Sequence, residues 1–167
     1  MKLLRFILIL IFVHAGYVLF NVYPSLPEEM IGKLNGSAHH SDTLSKMHFS
    51  FLHLGTLGLL TLLFGLTPGL MKRIPARFWN IPHRDYWLSD NRKATTFSQM
   101  EKFMLTLGIA TAGFFHFSMY QAILFNLGNT VEKSQINDPP LFFVFFILIW
   151  MVVFFYRFGR KPMADQR

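Results

Sequence analysis

Cysteine is absent from the 167 residues, which excludes disulfides, thiolate metal sites and a cysteine nucleophile. Charge is scarce: Asp, Glu, Lys and Arg together make up 15% of the chain, where a soluble domain carries about 25%. No carboxylate falls inside any of the long apolar stretches. Catalytic templates are missing too, with no Gly-x-Ser-x-Gly, no phosphate-binding glycine loop and no His-Glu-x-x-His. The chain therefore offers no recognisable enzyme motif, and no cofactor is expected.

Apolar residues are abundant instead, at 52%, with 20 Phe and 17% aromatics. They form long blocks, and a helix crossing the hydrocarbon core needs about 20 such residues. Four stretches qualify: 3–20, 47–67, 103–127 and 141–158. The expected fold is an all-α integral membrane protein, a single four-helix domain with outer loops 21–46 and 128–140 and an inner loop 68–102. Pro24, Pro27, Pro68, Pro139 and Pro140 are expected at or just beyond helix ends, where a missing N–H costs least. Lys2 and Arg5 before an apolar run, with Val13, His14 and Ala15 resembling a cleavage site, give the first segment a signal-peptide reading. The run continues through Phe20 to spanning length, so a retained helix is expected.

The net charge is +7, and its distribution gives orientation. Thirteen of the Lys and Arg residues fall at the N-terminus, in loop 68–102 and in the C-terminal tail, against Lys33, Lys46 and Lys133 elsewhere. Basic residues collect on the cytoplasmic side. Both termini should therefore be cytoplasmic, as in a multi-pass protein of a bacterial inner membrane, and nucleic acid is not needed as a partner. Residues 70–88 mix basic side chains with Phe78, Trp79, Tyr86 and Trp87. Such a mixture suits an interfacial anchor at the headgroups or a docking surface. Ser89 or Asp90 reads as the N-cap of a helix that runs into the third span.

Ionisable groups inside a membrane are costly and informative. His14, His48, His53 and His116 lie within the expected spans. At 1.5 Å per residue, His53 sits roughly 9 Å below the outer surface, and His14 and His116 reach similar depth. Such a set can bind haem or a metal, relay protons, or simply form interhelical hydrogen bonds. His48 and His53 diverge by about 140° around a helix and cannot share a ligand face. Gly108, Ala112, His116 and Tyr120 recur at i+4, and Gly58, Thr61 and Gly65 form a second row. Small residues allow close helix approach, so the second and third spans should pack together with His116 and Tyr120 inward. His39, His40, Ser41 and Asp42 are read as a solvated turn.

Two loop motifs carry a family resemblance. Tyr23-Pro24-Ser25-Leu26-Pro27, followed by Asn35 and by Ser45-Lys46, resembles the uncharacterised membrane domain that opens the immunity proteins of the sporulation-delaying toxin (domain of unknown function 1648). Asn80-Ile81-Pro82-His83-Arg84-Asp85-Tyr86-Trp87-Leu88 resembles a second motif of longer relatives. The resemblance covers roughly residues 1–100. Departures are Ile31 in place of a Pro, Lys33 of a His, Leu34 of a Phe and Ala38 of a Gly. It implies a small multispan protein without established chemistry, in some relatives conferring immunity or signalling.

The expected function is thus a non-enzymatic accessory, immunity or signalling protein that binds another membrane component or a second copy of itself. Asn80, Pro82, Asp85, Tyr86 and Trp87 would form the docking element, and Leu26, Pro27, Asn35 and Lys46 would shape the outer loop. One alternative is a small transporter or channel component with a path lined by His14, His53 and His116. Another is a membrane enzyme or haem subunit.

Overall fold

The computed structural model describes residues 1–31, 43–129 and 133–160, without the side chains of 76 and 133–137. Asn35, the His39–Asp42 turn, Lys33, Leu34 and Ala38 lie outside the described residues. Four helices are long and apolar enough to cross a membrane: α1 (Lys2–Val22), α2 (Lys46–Met71), α4 (Asp90–Asn126) and α5 (Lys133–Phe158). A short α3 (Arg84–Trp87) lies in the connection between α2 and α4. The four long segments form where apolar runs let a helix satisfy its own backbone groups, the condition for crossing lipid.

The long helices overrun the expected spans. Helix α2 continues through Pro68, and α5 contains Pro139 and Pro140, so these prolines do not mark helix ends. Proline has a helical φ of its own and forfeits one N–H bond, and buried Pro68 sits on the packed face of α2. Helix α4 starts at Asp90. Ser89 occupies its N-cap position, but the hydroxyl donates to the Tyr86 carbonyl instead (2.9 Å) and does not cap the helix.

Helix α4 is the hub, packing against α1, α2 and α5. Its Gly108 meets Phe64 of α2 so closely that a Cβ there would lie 2.5 Å from the Phe64 Cβ. Leu8 and Ala15 of α1, Leu57 and Phe64 of α2 and Ala112 of α4 form the central core. The packed face of α2 is Phe49, His53, Leu57, Phe64 and Pro68, not the expected Gly58–Thr61–Gly65 row. Gly58 faces Phe12 of α1 instead, and Gly65 has no neighbour near it. Helix α5 touches the bundle through α4 and leaves most of its Phe, Leu, Ile and Val side chains exposed.

The chain is not wholly helical. A two-stranded antiparallel ribbon pairs β1 (Glu29–Ile31) with β2 (Thr43–Ser45), in register Glu29 to Ser45, Met30 to Leu44 and Ile31 to Thr43. An isolated pair of strands is marginal, but this one is anchored. Leu26 and Met30 are buried in a cluster with Leu19, Phe49, Ala122 and Ile123. The side-chain amide of Asn126 completes the outer edge of β1: its Oδ1 accepts from the Ile31 N–H (2.7 Å) and its Nδ2 donates to the Ile31 carbonyl (3.1 Å).

Candidate functional site

Three long helices each contribute one histidine to a continuous hydrogen-bonded line. His14 Nδ1 of α1 lies 2.9 Å from His116 Nε2 of α4, and His116 Nδ1 lies 3.1 Å from His53 Nε2 of α2. The His53 and His116 rings stack at 5.3 Å between centroids, whereas His14 meets His116 edge-on at 5.1 Å. His53 is fully buried, flanked by the edges of Phe49 and Phe115. His14 is exposed on the outside of the bundle. The line thus runs inward from the bundle surface, and the depth expected from helical rise brings these three residues together.

Histidine chemistry limits what this line can do. A neutral imidazole has one donor and one acceptor nitrogen, so the neutral line has two directions, which differ in the tautomer of all three rings. An added proton is accommodated without breaking either bond, because a charged His116 donates from both nitrogens. A second proton breaks one of them. His53 Nδ1 is the inner terminus, buried and without a hydrogen-bond partner. Beyond it the interface is Leu57, Phe64, Leu8 and Ala112, plus the buried, unpaired hydroxyl of Thr61. The line ends inside the bundle, at His53 Nδ1.

A linear line is also a poor ligand set. His116 spends both ring nitrogens on its neighbours, and among the described residues no three His, Asp or Glu converge on a point where a metal ion could sit. Tyr120, expected to face inward with His116, is 37% exposed and takes no part. His48 is likewise elsewhere, 2.7 Å from the Ser45 hydroxyl that caps α2.

The end of the bundle that carries most of the basic residues is closed by the 72–89 connection. Of its four aromatic rings only Phe78 stands clear of the protein. Trp79 packs edge-on to Phe97, and Trp87 is buried against Phe158. The Trp87 indole N–H donates to the Phe158 carbonyl (2.9 Å), and the Thr96 hydroxyl donates to the Trp87 carbonyl (2.8 Å). Trp87 therefore ties α3 to α4 and to the end of α5. Of the expected docking residues, Asn80, Pro82 and Asp85 are exposed, Tyr86 is half-buried and Trp87 is internal. His83 turns the chain into α3 with a left-handed φ of 52°, a conformation uncommon outside glycine.

Sequence reasoning missed one charged residue. Glu101 of α4 is buried, 2.8 Å from Arg5 Nη2 of α1 and 3.6 Å from Lys72 Nζ just past α2, and so joins three helices. The usable signal was an acid two residues before the expected third span, at the end of a mostly basic loop.

At the other end, the outer-loop motif is structural. Leu26 is core, Pro27 is exposed, and Lys46 bridges Glu28 (2.8 Å) while lying over the Tyr23 ring at 5.3 Å. No family model, curated protein or solved structure matches the chain.

Proposed function

We propose that the chain is a non-enzymatic signalling component of a bacterial cytoplasmic membrane, with both termini cytoplasmic, that acts by binding another membrane component. The histidine line is its input. The observation that carries this reading is the His14–His116–His53 line itself, which joins three helices in the half of the bundle nearest the ribbon. Ionisable groups at that depth are expensive to keep unless they act, and histidine is the side chain that titrates near neutrality. A proton taken up by the line puts charge where no carboxylate among the described residues faces it. Around the line stand Phe49, Phe115 and the core apolar residues, with Tyr17 and Tyr120 about one turn away on α1 and α4.

Helix α4 carries the response. It runs without a break for 37 residues, about 55 Å, from Asp90 beside the aromatic cluster, past His116, to Asn126 at the ribbon. A small shift at His116 is thus available beside Asn80, Pro82 and Asp85, the exposed residues of the docking motif. The resemblance to toxin-immunity and signalling proteins points the same way. The inner terminus at His53 makes a through-membrane conduit the poorer reading.

The test is tryptophan fluorescence of the full chain in nanodiscs between about pH 8 and pH 5, the range in which histidine gains its proton. Wild type should show a reversible transition reported by Trp79 and Trp87. His116→Phe should remove it while circular dichroism stays helical. Identical curves for both proteins would sink the proposal.

A further inference from the structure

A second site lies at the opposite end of α4, and it stands independently of the histidine reading. Within the bundle, the α4 face that carries Gly108 packs on Phe64 of α2. Helix α2 stops at Met71, and Lys72, the next residue, lies opposite Glu101. Toward the start of α4 the same face continues beyond the last turn of α2. Phe97, Ala94, Lys93 and Asp90 recur there three and four residues apart, the spacing that puts side chains on one side of a helix. Together with Lys72 they line a surface pocket of about 430 Å³, within the volume range of small-molecule sites.

The lining has both signs of charge over an apolar wall. Phe97 is buried and meets the Trp79 ring edge-on at 5.5 Å. Lys72 Nζ is 3.6 Å from Glu101 Oε2, an ion pair too long for a hydrogen bond, and Arg5 holds the other Glu101 oxygen at 2.8 Å. The Lys72 N–H groups are thus left for a ligand. Lys93 and Asp90 are exposed and form no ion pair among the described residues. Two ammonium groups suit a phosphate as point charges, and a carboxylate beside them suits a primary ammonium.

Their order along the helix narrows the choice. Asp90 stands three residues farther than Lys93 from the apolar run of α4, about 4.5 Å along the axis. In a phospholipid with an aminoalkyl headgroup the ammonium likewise stands beyond the phosphate, counted from the acyl chains. Helices α2 and α4 are both long and apolar enough to cross a membrane, so their adjoining ends reach the headgroup layer. We propose that this pocket holds the headgroup of phosphatidylethanolamine, with Lys72 and Lys93 on the phosphate and Asp90 accepting from the ammonium. Phosphatidylcholine has no N–H to give Asp90, and phosphatidylglycerol has no ammonium.

Full-length protein is placed in phosphatidylcholine nanodiscs with equal minor amounts of phosphatidylethanolamine and phosphatidylglycerol, and retained lipid is identified by native mass spectrometry. Wild type should retain phosphatidylethanolamine over phosphatidylglycerol by about fivefold, the scale of one charge-assisted hydrogen bond at a solvated surface. Asp90→Asn should lose that preference and keep both lipids alike. Lys93→Gln should retain about fivefold less of either. Lys93→Arg, which restores the charge, and Arg160→Gln, which removes one outside the pocket, should both behave as wild type. The change of preference in Asp90→Asn is read on protein that still binds lipid, so it does not depend on Lys93→Gln folding. A wild type without preference or favouring phosphatidylglycerol, an unchanged preference in Asp90→Asn, full retention by Lys93→Gln, or equal loss in Arg160→Gln overturns the assignment. So does binding of soluble phosphoethanolamine in phosphatidylcholine discs with no phosphatidylethanolamine retained, which would give the pocket a soluble ligand.

Discussion

Asn126 shows how one side chain replaces a missing strand. A strand edge exposes unpaired N–H and C=O groups, and here a primary amide pairs with both groups of Ile31. Ile31 and Asn126 are thus read as a matched pair. Asn126→Leu should leave both Ile31 groups unpaired, costing about 1–3 kcal/mol. Hydrogen exchange at 29–31 should accelerate while the helices keep their protection. Gly108 makes a different demand, for space. Gly108→Leu should force α2 from α4 and lower stability by about 1–3 kcal/mol, read from thermal unfolding in detergent. Phe64→Ala should rescue part of that loss, because the clash is with the Phe64 side chain.

Among the elements, α3 is the smallest and one of the most consequential. Four residues long, it presents Trp87 to the last carbonyl of α5 and has its own last carbonyl held by Thr96. In the aromatic loop Trp79, Tyr86 and Trp87 fold back over the helix ends, leaving Phe78 to face outward. Trp87→Phe keeps the ring but removes the donor to Phe158. About 1 kcal/mol of stability should go with it, and exchange protection should fall at the end of α5 first. Equal loss along α1 would contradict this assignment. The ribbon shows the limit of reading elements from sequence. Its strands have three residues each, too few for a period-two signal, and residues 32–42 separate them.

For the whole molecule, the spans and the meeting of His14, His53 and His116 were legible. Apolar run length fixes the first, and a constant rise per residue sets common depth for the second. What escaped was which face each helix presents. On α4 the expected row packs through Gly108, Ala112 and His116 and only Tyr120 turns outward, whereas α2 packs on Leu57 and His53 and turns Gly58 to α1. Glu101 escaped because it lies on the part of that helix before the apolar run, where an acid reads as solvated. Orientation rests on charge distribution alone, and the absence of cysteine makes it easy to test. Gly36→Cys should react with an impermeant maleimide in intact cells, and Arg160→Cys only after the membrane is opened. The reverse pattern would invert the topology.

Helix α5 is the least embedded of the four: 6% of its most apolar window is buried, against 17% for each of the others. Its fastenings include a main-chain carbonyl at its far end, taken by Trp87, and edge-on contacts of Trp150 and Phe154 with Phe103. The three histidine-bearing helices, which precede α5 in the chain, make their contacts with one another without its help. A sequence change in α5 should therefore alter the yield of folded protein more than the architecture of the other three helices.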